Sequence, residues 1–140
     1  MQININFHLF LDDERHPRQV NWVKIPQNVG WTIVRSYREF VRTLAHEAKK
    51  GFIPAFISFD HDLGPEHYEA YSLAPDGATY EEVYGDVKER TGMDCLKWFV
   101  ENILLPNKLP MPPHALHTYS RIGKLNMEAY IASYNKSLSA

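Results

Sequence analysis

The sequence has only one cysteine, Cys95, so an intramolecular disulfide is impossible. This excludes a small secreted domain held together by disulfides and makes a reducing compartment the expected location. Long apolar runs are also lacking, and the apolar stretch 7–11 leads directly into Asp12 and Asp13, unlike a secretory signal. These absences predict a soluble, cytoplasmic protein with no membrane partner.

The chain also lacks an excess of positive charge. Its 15 lysine and arginine residues are outnumbered by 17 aspartate and glutamate residues, which gives a formal charge of −2. Such a charge provides no broad basic surface for the phosphates of duplex DNA, which is therefore not an expected partner. A small nucleotide or an RNA end remains a possible ligand through a local basic cluster or a metal ion. With 140 residues, 44% hydrophobic and 23% charged, the chain has the size and composition of one globular domain.

Four short apolar segments indicate the strands of a parallel sheet. They are rich in aliphatic and aromatic residues and end at polar or turn-forming residues: 5–11, 31–34, 55–59 and 115–119. Helical patterns follow three of them. The first begins with a capping box at Ser36 and Glu39, the second begins at Thr91, and the third is the last element of the chain. Alternating strands and helices predict a three-layer α/β fold with about four parallel strands and helices on both faces.

Two segments show no helical or strand period. Residues 14–30 contain two prolines and scattered polar groups, and residues 64–90 are rich in Pro, Gly, Tyr and Glu. Both are predicted as loops. The second is long for a compact domain, so it is predicted to be an insertion that forms either a lid or a disordered loop. Residues 1–140 are otherwise predicted to form a single domain.

Polar residues follow three of the four predicted strands. They are Asp12-Asp13-Glu14-Arg15 after the first, Asp60-His61-Asp62 after the third, and His117-Thr118-Tyr119-Ser120 after the fourth. In an open parallel sheet, ligands bind outside the carboxyl ends of the strands. The topology therefore predicts that these three groups of residues converge at one rim of the sheet.

The acidic residues at this rim predict a divalent-metal site. Several carboxylates in one place repel each other unless a cation lies between them, and hard oxygen ligands suit Mg²⁺ or Mn²⁺. The candidate ligands are Asp12, Asp13 and Asp60, with Asp62 as a fourth. The alternative is that these aspartates only cap loops and turns.

Two histidines and the start of the last helix supply further candidates. His61 and His117 are candidate general acids or bases, because imidazole titrates near neutral pH. Each is alternatively a metal ligand or a structural histidine. The residues at the start of the last helix are candidates for holding an anion: Ser120, Gly123, Lys124 and Asn126. Backbone amides there favour anions and Lys124 adds a full positive charge, although an ordinary turn with a surface lysine explains the pattern equally well.

Four sequence blocks span most of the chain: LFLDDERHP, FISFDHDLG, TGMDCLKWFVE and HTYSRIGKLNMEAYI. They resemble the cyclic-phosphate processing receiver domains, a divergent branch of the receiver fold found in phages and bacteria. DDERxP and DHDLG in this order are the more specific blocks. The resemblance implies a receiver- or flavodoxin-like fold, located in the host cytoplasm if the chain is phage-encoded.

The resemblance also implies roles for individual residues. It places Asp12 and Asp13 at the metal-binding acidic pair of receivers, and Asp60 at the phospho-accepting aspartate. Thr118 or Ser120 falls at the hydroxyl that contacts the phosphoryl group. Arg15, within DDERxP, joins the phosphate-binding candidates together with Gly123 and Asn126.

Two departures from ordinary receivers stand out. The chain has no fifth strand carrying a lysine, so Lys124 is expected to supply that charge. The helix after the first strand is replaced by the 14–30 segment. Both losses count against signalling, because receivers relay phosphorylation through the last strand and helix.

The resemblance implies hydrolysis of a cyclic phosphate on a nucleotide or RNA end, with Mg²⁺ or Mn²⁺ as cofactor. The catalytic candidates are Asp60, His61, His117 and Lys124. Two alternatives are a receiver-like signalling module phosphorylated on Asp60 and a non-catalytic module that binds a nucleotide or a protein.

Overall fold

The computed structural model describes residues 1–139, and its central element is a sheet of four parallel strands. The strands are β1 (Gln2–Leu11), β2 (Trp31–Val34), β3 (Phe52–Phe59) and β4 (His114–Leu116). They lie in the order β2-β1-β3-β4, and every neighbouring pair is parallel. The predicted fold class, a receiver-like α/β fold with a four-stranded parallel sheet, is confirmed.

Three strand boundaries differ from the prediction by three residues each. β1 begins at Gln2 and β3 at Phe52, each three residues earlier than expected from the apolar pattern. The early part of β1 pairs only with β3, so polar residues such as Asn4 are tolerated there and hide the strand in the sequence. β4 ends at Leu116 because the chain then turns towards the last helix, and the Ser120 amide donates to Thr118 Oγ1.

Five α-helices accompany the sheet within residues 1–139: α1 (Tyr37–Lys49), α2 (Pro65–Ser72), α3 (Tyr80–Tyr84), α4 (Gly92–Phe99) and α5 (Arg121–Leu138). Ser36 caps α1 as predicted, but the Glu39 carboxylate accepts from the Arg35 amide and leaves the capping box incomplete. The box of Thr91 and Asp94 at the start of α4 is confirmed. None of the helices in the described part of the chain is long and apolar enough to cross a membrane.

The 64–90 segment contains two short helices, α2 and α3, where the sequence predicted a loop. Pro65 occupies the first turn of α2, and Thr79 and Glu82 form a capping box at the start of α3. Each helix buries only one or two side chains, so neither leaves a periodic apolar pattern. Together they place several tyrosines beside the carboxyl ends of β1 and β3.

The two faces of the sheet are covered differently. Side chains of α1, α4 and α5 pack on the first face, around Leu9, Ile57 and Phe59. The second face is covered by residues 20–25, whose Val20 and Ile25 pack on Phe10. No residue of this second cluster comes from an α-helix among the described residues, because residues 14–30 form only one 3₁₀ turn, Pro17–Gln19, where a receiver has a helix. The predicted α-helical layer on the second face of the sheet is therefore not found among residues 1–139.

Gly92 clamps the start of α4 against the end of β3. Its amide donates to the carbonyl oxygen of His61 at 2.7 Å. A Cβ at this position would lie 1.8 Å from the carbonyl oxygen of Asp60, a distance that the backbone cannot accommodate. The glycine of the TGMD block is therefore required by the close approach of two backbone segments beside Asp60.

Gly92→Ala should lower the free energy of unfolding by about 1–3 kcal/mol or more, because the added methyl group must displace the Asp60 backbone. Gly30→Ala is the matched control, since nothing lies within 4 Å of a Cβ there. It should change stability by less than about 0.5 kcal/mol. Urea unfolding of both variants checks this, and equal stabilities would contradict the close approach.

Candidate functional site

The register of the sheet aligns three functional side chains at its rim. Phe10, Ser58 and Ala115 are direct partners on three adjacent strands. Two residues further along these chains come Asp12, Asp60 and His117. Because side chains two residues apart in a strand share a face, all three point towards the second face of the sheet, at its carboxyl rim. The predicted convergence is therefore found for one residue from each strand end.

Asp12 is fully buried and accepts four hydrogen bonds. Its Oδ1 accepts from the amides of Glu14 (2.9 Å) and Arg15 (2.8 Å), and its Oδ2 lies 3.0 Å from His117 Nε2 and 3.4 Å from Arg15 Nη1. Burial acts to raise the pKa of Asp12, but the bonds from His117 and from the two amides outweigh it and lower the pKa. Asp12 is therefore ionised in the folded protein at neutral pH.

Asp60 lies beside Asp12 with one oxygen unsatisfied. Its Oδ1 accepts from the His61 amide at 2.8 Å, whereas its buried Oδ2 has no hydrogen-bond partner among residues 1–139. The nearest positive charge, Arg15 Nη1, is 3.8 Å from that oxygen. Burial, and then repulsion from Asp12, raise the pKa of Asp60 well above its usual value. An unpartnered buried carboxyl oxygen is costly, so the geometry favours a ligand at this point.

The residues at this rim fit a divalent cation. One ligand atom from each of Asp12, Asp60 and His117 lies within 4.8 Å of the other two. The two carboxylates are the type of ligand that Mg²⁺ and Mn²⁺ prefer, and Asp60 Oδ2 is free to bind one. This cluster of Asp12, Asp60 and His117 is called the rim cluster below.

The other two predicted metal ligands, Asp13 and Asp62, lie outside the rim cluster. Asp13 Oδ1 accepts from Tyr68 Oη of α2 at 2.5 Å. Asp62 Oδ1 accepts from Tyr84 Oη of α3 at 2.8 Å and also lies 2.7 Å from His61 Nδ1. One oxygen of Asp13 therefore holds α2, and one oxygen of Asp62 holds α3.

His61 has a structural environment. Its ring is fully buried, with Nδ1 bonded to Asp62 and Nε2 lying 2.8 Å from Tyr80 Oη. The ring also packs on Gly123 of α5, where a Cβ would lie 2.5 Å from His61 Cγ. Both ring nitrogens already have hydrogen-bond partners, the buried Asp62 and the half-buried Tyr80, so the geometry does not support the predicted acid–base role. Gly123 serves this close packing.

Arg15 provides the positive charge at the rim. Its guanidinium carbon lies 4.7 Å from the ring centre of Tyr119 and 5.4 Å from that of Trp22. These two rings stack with their centres 4.5 Å apart, and are called the aromatic shelf below. Burial acts to lower the pKa of Arg15, but the charges of Asp12 and Asp60 raise it, so the guanidinium stays charged.

Lys124 and Asn126 are not brought to the rim cluster. Neither forms a hydrogen bond or ion pair with Asp12 or Asp60 within the described part of the chain. Lys124 borders a shallow depression beside β4, together with residues such as Val23 and Glu128. The charge that the resemblance assigned to Lys124 is supplied at this rim by Arg15.

A cleft of about 120 Å³ opens beside the rim cluster. It is lined by Arg15, Asp60, Asp62, Tyr68, Tyr71, Thr118, Tyr119 and Ser120. The predicted Thr118 thus faces the cleft, and its hydroxyl acts to lower the pKa of Asp60. Ser120 Oγ is used internally, because it accepts from the Gly123 amide and lies 2.7 Å from Tyr84 Oη.

Three residues of the site were not predicted. Ser58 is the only polar residue in the apolar strand β3 and comes two residues before Asp60, which is a usable sequence signal. Tyr119 was noted only as part of its strand end. Trp22 lies in the irregular 14–30 segment, and its position, fixed by a 2.7 Å bond from Nε1 to the His117 carbonyl oxygen, has no local signature.

The chain is similar to a known family. A family model described as the cyclic-phosphate processing receiver domain matches residues 7–133, which is most of the chain and includes the whole rim cluster. No curated protein and no solved structure matches the chain significantly. The resemblance predicted from the four sequence blocks is confirmed.

Asp60→Asn should stabilise the metal-free protein at neutral pH by about 1–3 kcal/mol, because the amide removes a buried charge beside Asp12. The pKa of Asp60 is raised in the folded state, so wild type loses stability as pH rises above the unfolded value of about 4. The advantage of the variant should grow with pH. Urea unfolding in chelator between about pH 4 and pH 8 checks this, and an advantage that shrinks with rising pH would contradict it.

Proposed function

Because the chain belongs to the cyclic-phosphate processing receiver domain family, we propose that it is a divalent-metal-dependent phosphoesterase that opens a cyclic phosphate on a nucleotide or RNA end. The observation that carries the proposal is the unpartnered Oδ2 of Asp60. It lies buried beside Asp12, at a cleft that also contains a guanidinium. This combination suits an anionic ligand bound together with a cation.

Asp12 and Asp60 are the residues that would hold Mg²⁺ or Mn²⁺. When bound, such an ion polarises a phosphate and lowers the pKa of a coordinated water. Asp12 is held ready for this by four hydrogen bonds, so little side-chain reorganisation is needed. The Oδ1 of Asp60 accepts from the His61 amide, and its unpartnered Oδ2 lies 3.8 Å from Arg15 Nη1.

The other cleft residues bind and orient the substrate. Arg15 carries a full positive charge and several N–H donors, which suit the oxygens of a phosphate. The hydroxyl of Thr118 faces the same cleft. In the reaction the oxygen of water bonds to phosphorus, one ester P–O bond of the ring breaks, and the departing ribose oxygen takes up a proton. The product is a linear phosphate monoester.

The aromatic shelf supports a nucleotide rather than a bare phosphate as substrate. Tyr119 lines the cleft and is 63% exposed, although it is a large aromatic side chain. Its ring is anchored by Trp22, which is held by the bond to the His117 carbonyl. A rigid, exposed aromatic ring beside a phosphate site suits a stacked nucleobase.

Phosphorylation of Asp60 as a signalling event is less well supported. No lysine forms an ion pair with Asp60 among residues 1–139, and the described sheet ends at β4. Binding without turnover remains a distinct outcome of the test below.

Asp12→Ala and Asp60→Ala should each reduce hydrolysis of 2′,3′-cyclic nucleotides and of ADP-ribose cyclic phosphate at least 100-fold, since each removes a metal ligand. Removing the metal with EDTA should have the same effect, reversed by Mg²⁺ or Mn²⁺. The control is Asp86→Ala, an exposed carboxylate that does not line the cleft. The assay measures release of the linear monoester by chromatography.

Absence of turnover in the presence of either metal would overturn this proposal. Nucleotide binding in the same samples would then favour the non-catalytic module, and a mass increase of one phosphoryl group after treatment with acetyl phosphate would favour the signalling module.

Tyr119→Ala should raise KM for a cyclic nucleotide about 10-fold while changing kcat little, because a base stack is worth about 1–3 kcal/mol. Tyr119→Phe keeps the ring and should behave like wild type. Steady-state kinetics of both variants tests whether the nucleobase stacks on the aromatic shelf. A fall in kcat with unchanged KM would argue against base stacking.

A further inference from the structure

A continuous chain of hydrogen bonds joins Ser58, near the carboxyl end of β3, to His117 and Asp12 of the rim cluster. Ser58 Oγ lies 2.7 Å from His117 Nδ1, and His117 Nε2 lies 3.0 Å from Asp12 Oδ2. All three side chains are fully buried, with 0% exposure. None of the roles assigned above uses Ser58, and a hydroxyl inside an otherwise apolar strand requires a partner of this kind.

The chemistry of the three groups determines the direction of each bond. Asp12 accepts from two backbone amides at Oδ1 and from Arg15 Nη1 at Oδ2, so it acts as an acceptor throughout and His117 Nε2 carries the hydrogen of their 3.0 Å bond. A neutral ring then has its lone pair on Nδ1, which accepts from the hydroxyl of Ser58.

Stacking on the ring and hydrogen bonds to the backbone of His117 also fix the imidazole. It stacks on Phe10 with ring centres 4.5 Å apart and planes within 4° of parallel. The backbone carbonyl of His117 accepts from Trp22 Nε1, and its amide donates to the Phe59 carbonyl. The imidazole therefore has one orientation, in which Nε2–H points at Asp12.

The same three residue types form the catalytic triad of serine hydrolases, but Ser58 is not placed as a nucleophile. It lies in the centre of the sheet, paired on both sides with Phe10 and Ala115. Its hydroxyl does not line the cleft, and its hydrogen bond to the ring leads away from solvent. No substrate atom reaches it, so acyl transfer through Ser58 is excluded.

We propose that Ser58 and His117 are positioning residues that hold Asp12 in its metal-binding orientation, with His117 donating from Nε2 rather than ligating the ion. This proposal deepens the proposed function. Its consequence for metal affinity rests on that function, whereas the orientation of the His117 ring does not. It reduces the side-chain ligands of the rim cluster to two carboxylates, which favours Mg²⁺ or Mn²⁺ over metals that prefer imidazole.

The first test is the tautomer of His117 in the metal-free protein. In ¹⁵N-labelled protein at neutral pH, His117 should show a protonated Nε2 and an unprotonated Nδ1. The same pattern should persist after saturation with diamagnetic Mg²⁺. An Nδ1–H tautomer, or loss of the Nε2 hydrogen when Mg²⁺ binds, would overturn the proposal.

The second test separates donation from ligation by two substitutions. His117→Gln can place an N–H near the position of Nε2, whereas His117→Asn places its amide near the position of Nδ1. His117→Gln should retain most of the Mn²⁺ affinity, measured by titration, and His117→Asn should lose about 10- to 100-fold. Equal losses in both variants would indicate a metal ligand and contradict the proposal.

Ser58 is tested through the ring that it contacts. Ser58→Ala removes the donor to Nδ1, so the Nδ1 signal should shift towards that of a free imidazole nitrogen and Mn²⁺ affinity should fall about 10-fold or more. Ser58→Thr keeps the hydroxyl and should restore both, while Ser137→Ala, at the far end of α5, is the control for a distant serine. An unchanged Nδ1 signal in Ser58→Ala would overturn the role of Ser58.

Failure of the proposed function gives a different result. If Mg²⁺ and Mn²⁺ do not bind at all, the metal-free tautomer and the response of Nδ1 to Ser58→Ala still confirm or contradict the positioning chain.

Discussion

Two buried carboxyl groups side by side are the constraint on which the rest of this structure depends. Asp12 is ionised and accepts four hydrogen bonds, of which the one from Arg15 is long at 3.4 Å, whereas Asp60 has an oxygen with no partner in the described chain. Arg15 reduces the repulsion but lies 3.4 Å and 3.8 Å from their nearest oxygens, too far for close ion pairs. Arg15 therefore offsets only part of the repulsion between the two carboxyl groups, and the residues of the rim cluster fit a divalent cation.

The second face of the sheet explains how such a site is maintained. A receiver helix is missing there, and residues 14–30 cover the face with Trp22 and three aliphatic side chains, Val20, Val23 and Ile25. This irregular segment brings Trp22 over the rim, where a helix would present a regular surface. The same segment places Arg15 between the carboxylates and the aromatic shelf, so the positive charge nearest to Asp60 is a guanidinium.

The other polar residues around the two carboxylates have structural roles. Tyr68 and Tyr84 bind Asp13 and Asp62, and His61 is enclosed between Asp62, Tyr80 and α5. These bonds use the acidic residues that surround the rim to hold the 64–90 helices against the sheet. As a result the cleft has a wall formed by α2, through Tyr68 and Tyr71.

Local patterns in the sequence determined the parallel sheet, the capped helices α1 and α4, and the strand ends that carry acid, because apolar runs and capping residues act over a few neighbours. Tertiary structure alone decided which acidic residues meet. His117 and Asp12 are 105 residues apart, and Tyr84 reaches Asp62 from a segment without a periodic pattern. Long-range register and burial select these partners, and no local spacing encodes them.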